Sequence, residues 1–280
     1  MTNLSNSPLQ DLIRQRFGNT SEPFACDQDA EILRSLLSRG SCRAFQDCPV
    51  PDDLSHLLCA AAFSAPTKSD LQQRDVVFLK SQVARRALSH LVSGQSWVAG
   101  APLIAVFCGN NRRQRQLHEW HGIPFANDHL DAFFNATADA AIALGAFVMA
   151  AEAMGLGCCP ISAVRNEAAA VSDLLQLPEH VFPFAGLAIG YPKEPAVISK
   201  RLPLSVTCHT DTYSDADIED TVRTYDRDRA QTQPYGTQRF TDTFGTSHAY
   251  TWSEDKARQY SQKERANFGD YVRKQGFSLG

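Results

Sequence analysis

The chain has 280 residues, 43% of them hydrophobic, with 27 Lys and Arg against 31 Asp and Glu for a formal charge of −4. That length supports a sizeable core in one large domain or two ordinary ones, and the acidic balance excludes a surface built around nucleic acid or an anionic membrane. No uncharged run of 18 apolar residues occurs, and MTNLSNSPLQDLIRQRF lacks the basic-then-apolar pattern of an export signal. The eight cysteines therefore read as free thiols of a soluble, cytoplasmic protein.

Residues 1–28 are polar around one short amphipathic piece, LQDLIRQRF, and read as an N-terminal extension that packs loosely or wraps a neighbour. From Asp29 onward, Ile32, Leu33, Leu36 and Leu37 recur at helical spacing up to a stop at Gly40. Pro51, Asp52 and Asp53 open a second helix with Leu54, Leu57, Leu58 and Ala61 on its apolar face, closed by Pro66. DVVFLK (75–80) and PLIAVFCG (102–109) are predicted buried strands, with helical VARRALSHLV between them. GNNRRQRQLHEWHGIP (109–124) reads as a polar surface insert. A long helix over 131–155 is apolar on nearly every face after Asp139, which predicts burial all round. FPFAGLAIGYP (182–192) is the third predicted buried strand. Residues from about 193 to 250 lack long apolar runs and read as an extended excursion. A final amphipathic helix should run from a Ser253 cap to Gly276. Helices interleaved with a few strands give an α+β domain over 29–280.

The residues that could carry chemistry admit more than one reading. In Arg39-Gly40-Ser41-Cys42-Arg43, two arginines can clamp an oxyanion from both sides, or simply complement a helix C-terminus. Ala65-Pro66-Thr67-Lys68-Ser69-Asp70-Leu71-Gln72 is either a polar ligand rim or a plain turn. No C-x-x-C or H-E-x-x-H spacing is present, so no metal site is assigned. Neither a G-x-G-x-x-G after a strand, a P-loop nor a G-x-S-x-G elbow occurs, which leaves dinucleotide folds, P-loop enzymes and serine hydrolases unsupported.

Taken in order, several segments resemble the FMN-dependent nitroreductase family. They are Arg39-Gly40-Ser41-Cys42-Arg43-Ala44-Phe45 followed by Pro49, and Ala65 to Gln72 against the family's A-P-S-S-x-N-x-Q, with Asp70 in place of the Asn. The stretches around Gly94-Gln95, AAEAMGLGCCPISAVRN (150–166), LLQLPEHVFPFAGLAIGYP (174–192), KRLPLSV (200–206), Trp252-Ser253 and Lys274-Gln275-Gly276-Phe277 are similar to the NADPH-preferring oxygen-insensitive nitroreductase and flavin reductase branch. The resemblance implies a mostly antiparallel central sheet flanked by helices, in an intertwined homodimer with one FMN per subunit. It implies that Arg39, Ser41 and Arg43 hold the phosphate and the isoalloxazine edge, that Lys200 and Arg201 close on the phosphate, and that Gly40 belongs to the same cofactor-binding segment. Thr67, Lys68 and Ser69 would reach the flavin across the interface, Gln95 its ring or ribityl chain, and Ile161 and Ser162 the neighbourhood of its N5. NADPH is the implied co-substrate, with NADH the alternative, and Arg239, Lys256 and Arg258 are candidates for its 2′-phosphate. No side-chain acid or base is assigned as catalytic, because the chemistry belongs to the flavin. The implied activity is ping-pong reduction of nitroaromatics, quinones or similar acceptors. The alternatives are a flavin reductase feeding a monooxygenase, a reductive dehalogenase, or a non-catalytic flavin-binding module. The branch commonly has Gly-Gly where Ser162-Ala163 stand, and Lys at Ser199.

Overall fold

The longer β-strands of this chain follow from short, β-branched or apolar runs, and several helices from an apolar face bounded by Pro, Gly or polar residues. The computed structural model describes residues 8–18, 31–92 and 95–280. In chain order its elements begin with α1 (Pro8–Phe17), α2 (Glu31–Ser38), α3 (Asp52–Phe63), β1 (Arg74–Leu79) and α4 (Gln82–Leu91). They continue with β2 (Leu103–Asn110), α5 (Arg112–His121), α6 (Leu130–Ala153), β3 (Gly157–Ile161), α7 (Ala168–Leu175) and β4 (Val181–Gly190). The last are α8 (Leu204–Thr207), α9 (Ile218–Thr232), α10 (Thr241–Phe244), α11 (Trp252–Gln259) and α12 (Phe268–Lys274). The chain clusters into two units: one from the residues up to Gly40 and Val197–Glu264, the other from Ser41–Ala196 and Arg265–Gly280.

The larger unit holds one four-stranded antiparallel sheet in the order β1-β2-β4-β3. Its central strand β2 is buried along its whole length, so both of its faces must be covered. Ile104, Val106 and Cys108 pack with Leu88 of α4 and Val171 of α7. The alternate residues Leu103, Ala105 and Phe107 pack with Leu58 and Ala62 of α3 and with Ala143, Phe147 and Ala151 of α6. Phe107 meets Phe147 edge-on, with ring centroids 5.5 Å apart. The C-terminus returns to this unit, where Tyr271, Val272 and Phe277 join Phe182, Ala136 and Ala168 in a third cluster.

The three predicted strands are present, and a fourth, β3, follows the long helix where no strand is predicted from the sequence. β3 is an edge strand of five residues containing Pro160, too short and too irregular to show alternation. The polar insert of 109–124 forms helix α5. The excursion after residue 193 contains the 15-residue helix α9. The predicted final helix is two, α11 and α12, broken where the chain leaves one unit for the other and where Arg265 takes a left-handed φ of 55°. α11 starts at Trp252 with Thr251 as its cap. Ser253 instead gives its hydroxyl and its backbone N–H to the carboxylate of Asp226.

Helix α6 departs from burial on all sides. It is long and apolar enough to cross a membrane by length and composition, but Ala136, Ala140, Ala143, Phe147 and Ala151 bury it against the rest of the unit. On the opposite side Leu130, Phe134, Ile142 and Met149 form an exposed apolar stripe, with Phe134 65% exposed. Residues 1–7, 19–30 and 93–94 lie outside the described residues, so the reading of 1–28 is met only through α1 and that of Gly94 not at all. Among the described cysteines Cys48 and Cys208 are exposed, whereas burial pushes the Cys59 thiol up to about 11 and the Cys108 thiol higher still.

Candidate functional site

The smaller unit gathers cations around one cavity of about 710 Å³. Arg16, Arg39, Lys200, Arg201, Arg229 and Lys256 all line it, and no Asp or Glu is among the described residues that do. Arg39 follows the last turn of α2, and Lys200 and Arg201 lie in the extended segment before α8. One close approach sets these segments against each other. A Cβ added to Gly40 would stand 2.3 Å from the Val197 carbonyl oxygen, so only glycine allows this spacing. The side-chain amide of Gln233 then brackets the second segment, donating to Ile198 O at 2.7 Å and accepting from Lys200 N at 3.1 Å. Arg229 Nη1 donates to Lys200 O at 3.3 Å and to Tyr225 Oη at 3.1 Å. Lys200 Nζ donates to Asp228 O, and the Arg201 side chain is exposed. Cations gathered on one cavity wall suit a multiply charged anion.

A second group of predicted residues surrounds Asp255, which is 2% exposed. Arg239 Nε lies 3.1 Å from Asp255 Oδ1, Lys256 Nζ 2.8 Å from Oδ2, and Tyr250 Oη donates to Oδ1 at 2.9 Å. Burial pushes the Asp255 carboxyl up, but Lys256, Tyr250 and Arg239 together outweigh it and hold it below the usual range. Arg258 is itself buried; it pairs with Glu254 at 2.6 Å and donates to the carbonyls of Arg239 and Gly245. Lys256 and Arg239 are thus the solvent-facing cations of this group, and Arg258 braces the loop that carries Arg239.

In the larger unit, Cys42 N donates to Cys158 O at 2.9 Å, which fastens the Ser41–Arg43 segment to the open edge of β3. Ser41 and Arg43 are exposed there, and the Arg43 guanidinium lies 5.8 Å from the Trp97 ring centroid. Ile161 is buried at the end of β3, whereas Ser162, the next residue, is exposed. Gln95 caps the short 3₁₀ turn Ser96–Gly100 and is half-buried. Thr67, Lys68 and Ser69 belong to a loop in which Ser69, Asp70 and Gln72 all have positive φ. Asp139 of α6, 1% exposed, holds both ends of that loop, accepting from Lys68 N at 2.9 Å and from Gln73 N at 2.8 Å.

Arg16, Asp139 and Arg229 are the residues that the sequence patterns pass over. A carboxylate among the alanines of a mostly apolar helix is nonetheless a readable signal, because a buried charge needs partners. Arg16 and Arg229 look like ordinary helix-surface cations.

Two family models cover nearly all of the chain described above. That of the nitroreductase family matches residues 36–191, and that of the nitroreductase family, C-terminal domain, matches residues 199–280. The chain belongs to the nitroreductase family. An FMN reductase [NAD(P)H] of Bacillus subtilis is 32% identical over 252 residues, covering 89% of this chain and 98% of that protein. An oxygen-insensitive NADPH nitroreductase of Salmonella typhimurium is 31% identical over 246 residues, covering 88% of this chain and 98% of that protein. Among solved structures, NfrA2 of B. megaterium superposes with a TM-score of 0.82 at 29% identity, over 89% of this chain and 99% of that one. The α+β architecture with its antiparallel sheet is therefore a nitroreductase fold, and residues 1–35 lie outside both family models.

Proposed function

We propose that this nitroreductase-family chain is a cytoplasmic, homodimeric NADPH-dependent FMN oxidoreductase that reduces nitroaromatic, quinone or similar acceptors. The observation that carries the proposal is the cavity that six cations line, whose donor set suits the dianionic phosphate of a flavin mononucleotide. Arg39, Lys200 and Arg201 hold the phosphate there, with Gly40 setting their spacing. Ser41, Arg43, Gln95, Ile161 and Ser162 contact the remainder of the flavin, and Thr67, Lys68 and Ser69 do so from the second copy. FMN, when bound, supplies the chemistry by accepting a hydride from the nicotinamide and yielding it to the acceptor. The protein contributes positioning and positive charge rather than a proton donor. A second copy of the chain also explains the exposed stripe Leu130, Phe134, Ile142 and Met149 on α6, since an obligate dimer buries such a face.

The visible spectrum of the purified protein tests this reading. Flavin absorption that bleaches with NADPH under anaerobic conditions and returns on adding a nitrofuran or quinone is the expected result. Absence of flavin, with none taken up on addition, rejects it. The FMN reductase relatives carry a second reading, the delivery of reduced FMN to another enzyme. Loss of flavin from the reduced protein on gel filtration selects it over the first.

Lys256 is the leading contact for the NADPH 2′-phosphate, being a solvent-facing cation on the cavity wall with the Tyr235 ring centroid 5.9 Å away. Lys256→Gln is expected to raise the KM for NADPH about tenfold, the worth of one charge-assisted contact, and to leave the KM for NADH unchanged. Steady-state kinetics with both nucleotides checks it; an equal rise for the two would assign Lys256 to the support of Asp255 alone.

A further inference from the structure

Helix α1 lies outside both family models, yet it ends inside the cation cavity. Leu9 and Ile13 are buried and seat the helix. At its last turn Arg16 is 6% exposed, and its guanidinium points at backbone carbonyls from two distant segments. Nε donates to Leu37 O at 2.9 Å, Nη2 to Arg39 O at 2.5 Å and Nη1 to Ser199 O at 3.4 Å. The main chain repeats the tie, for Arg201 N donates to Arg16 O at 2.6 Å.

We propose that Arg16 is a positioning residue for the anion site: its buried guanidinium clamps the segment carrying Arg39 to the segment carrying Lys200 and Arg201. The inference deepens the flavin reading above and rests on it. The physical need is plain. A tie between the two segments fixes their spacing before an anion arrives, so that binding need not draw them together. A planar fork with donors on three nitrogens can satisfy carbonyls on both segments at once, which an ammonium on a flexible stem does not. Arg16 also brings a further fixed positive charge to the cavity wall. The N-terminal extension of this chain thereby becomes part of the cofactor site without touching the flavin ring.

Full-length Arg16→Ala and Arg16→Lys are the test, read by dissociation constants for FMN and for riboflavin, which lacks the phosphate, and by hydrogen exchange at the Lys200 and Arg201 amides. Both variants are expected to bind FMN about tenfold more weakly, the loss of a charge-assisted network. Riboflavin affinity should stay within about twofold, because only the phosphate end of the site is disturbed. Exchange at Lys200 and Arg201 should accelerate. Equal weakening for both flavins, no weakening, or wild-type FMN affinity in Arg16→Lys overturns the proposal. If the wild-type chain binds no FMN, the flavin reading fails instead, and the exchange data alone decide: unchanged protection in Arg16→Ala rejects the clamp, and lost protection supports it.

Discussion

Asp139→Ala is expected to destabilise the protein by about 3 kcal/mol and to empty most of its flavin site, because each of two amides left without an acceptor costs about 1–3 kcal/mol. The carboxylate is buried within α6, and its two oxygens take the backbone N–H groups of Lys68 and Gln73, one at each end of the Thr67–Gln72 loop. Between these anchors Ser69, Asp70 and Gln72 sit at φ values of 49°, 57° and 54°. Non-glycine residues hold such angles only where their surroundings fix them. Without the carboxylate the loop relaxes toward ordinary φ, and Thr67, Lys68 and Ser69 lose the arrangement proposed for flavin contact. Asp139→Asn is expected to lie between the two, since its amide keeps one acceptor oxygen and turns a donor toward the other N–H. Chemical denaturation gives the stability change, and the ratio of flavin to protein absorbance gives the occupancy. An alanine variant with wild-type stability and a full complement of flavin would remove Asp139 from this role.

The sheet is legible wherever burial on both faces writes itself as a continuous apolar run. β2 and β4 are of this kind, and their alternate residues divide between the two layers. β3 escapes because an edge strand of five residues with a proline has neither length nor alternation to show. The exposed stripe of α6 escapes for a different reason. Composition reports how apolar a helix is, but an apolar face left exposed has the same letters as one already buried. In the site, the segments bearing Arg39, Arg43, Lys200 and Arg201 are recognisable by their order along the chain. Their scaffolding is not: Arg16 and Gln233 act through hydrogen bonds to main-chain atoms of segments far away in sequence. A carbonyl acceptor leaves no trace in residue identity, so such supports become visible only when the backbone is folded. Asp139 stands between these cases, being conspicuous as the acid in the middle of a mostly apolar helix while its partners are again main-chain groups.

Gly40 shows how the same residue changes meaning between the two levels, and it carries the second large prediction. From sequence it reads as a helix-stopping glycine, a role that relies on positive φ. Helix α2 ends at Ser38, and Gly40 is not among the glycines with positive φ. What requires glycine is space, because a Cβ would come within 2.3 Å of Val197 O and 3.0 Å of Val197 C and N. All three are main-chain atoms and cannot rotate aside as a side-chain end would. The strain of Gly40→Ala must therefore displace either the Arg39 segment or the segment from Val197 to Arg201, and Gln233 anchors the latter through Ile198 O and Lys200 N. Overpacking of this kind costs about 1–3 kcal/mol. Applied to the spacing of the cations proposed to hold the phosphate, it corresponds to a fall in FMN affinity of about 10- to 100-fold. Gly236→Ala is the control within the same unit, for its Cβ meets nothing within 4 Å, and its FMN affinity should equal that of the wild type. Titration of the two flavin-stripped variants with FMN measures the difference directly, and indistinguishable affinities would show that the approach of Gly40 to Val197 does not set the spacing of the phosphate site.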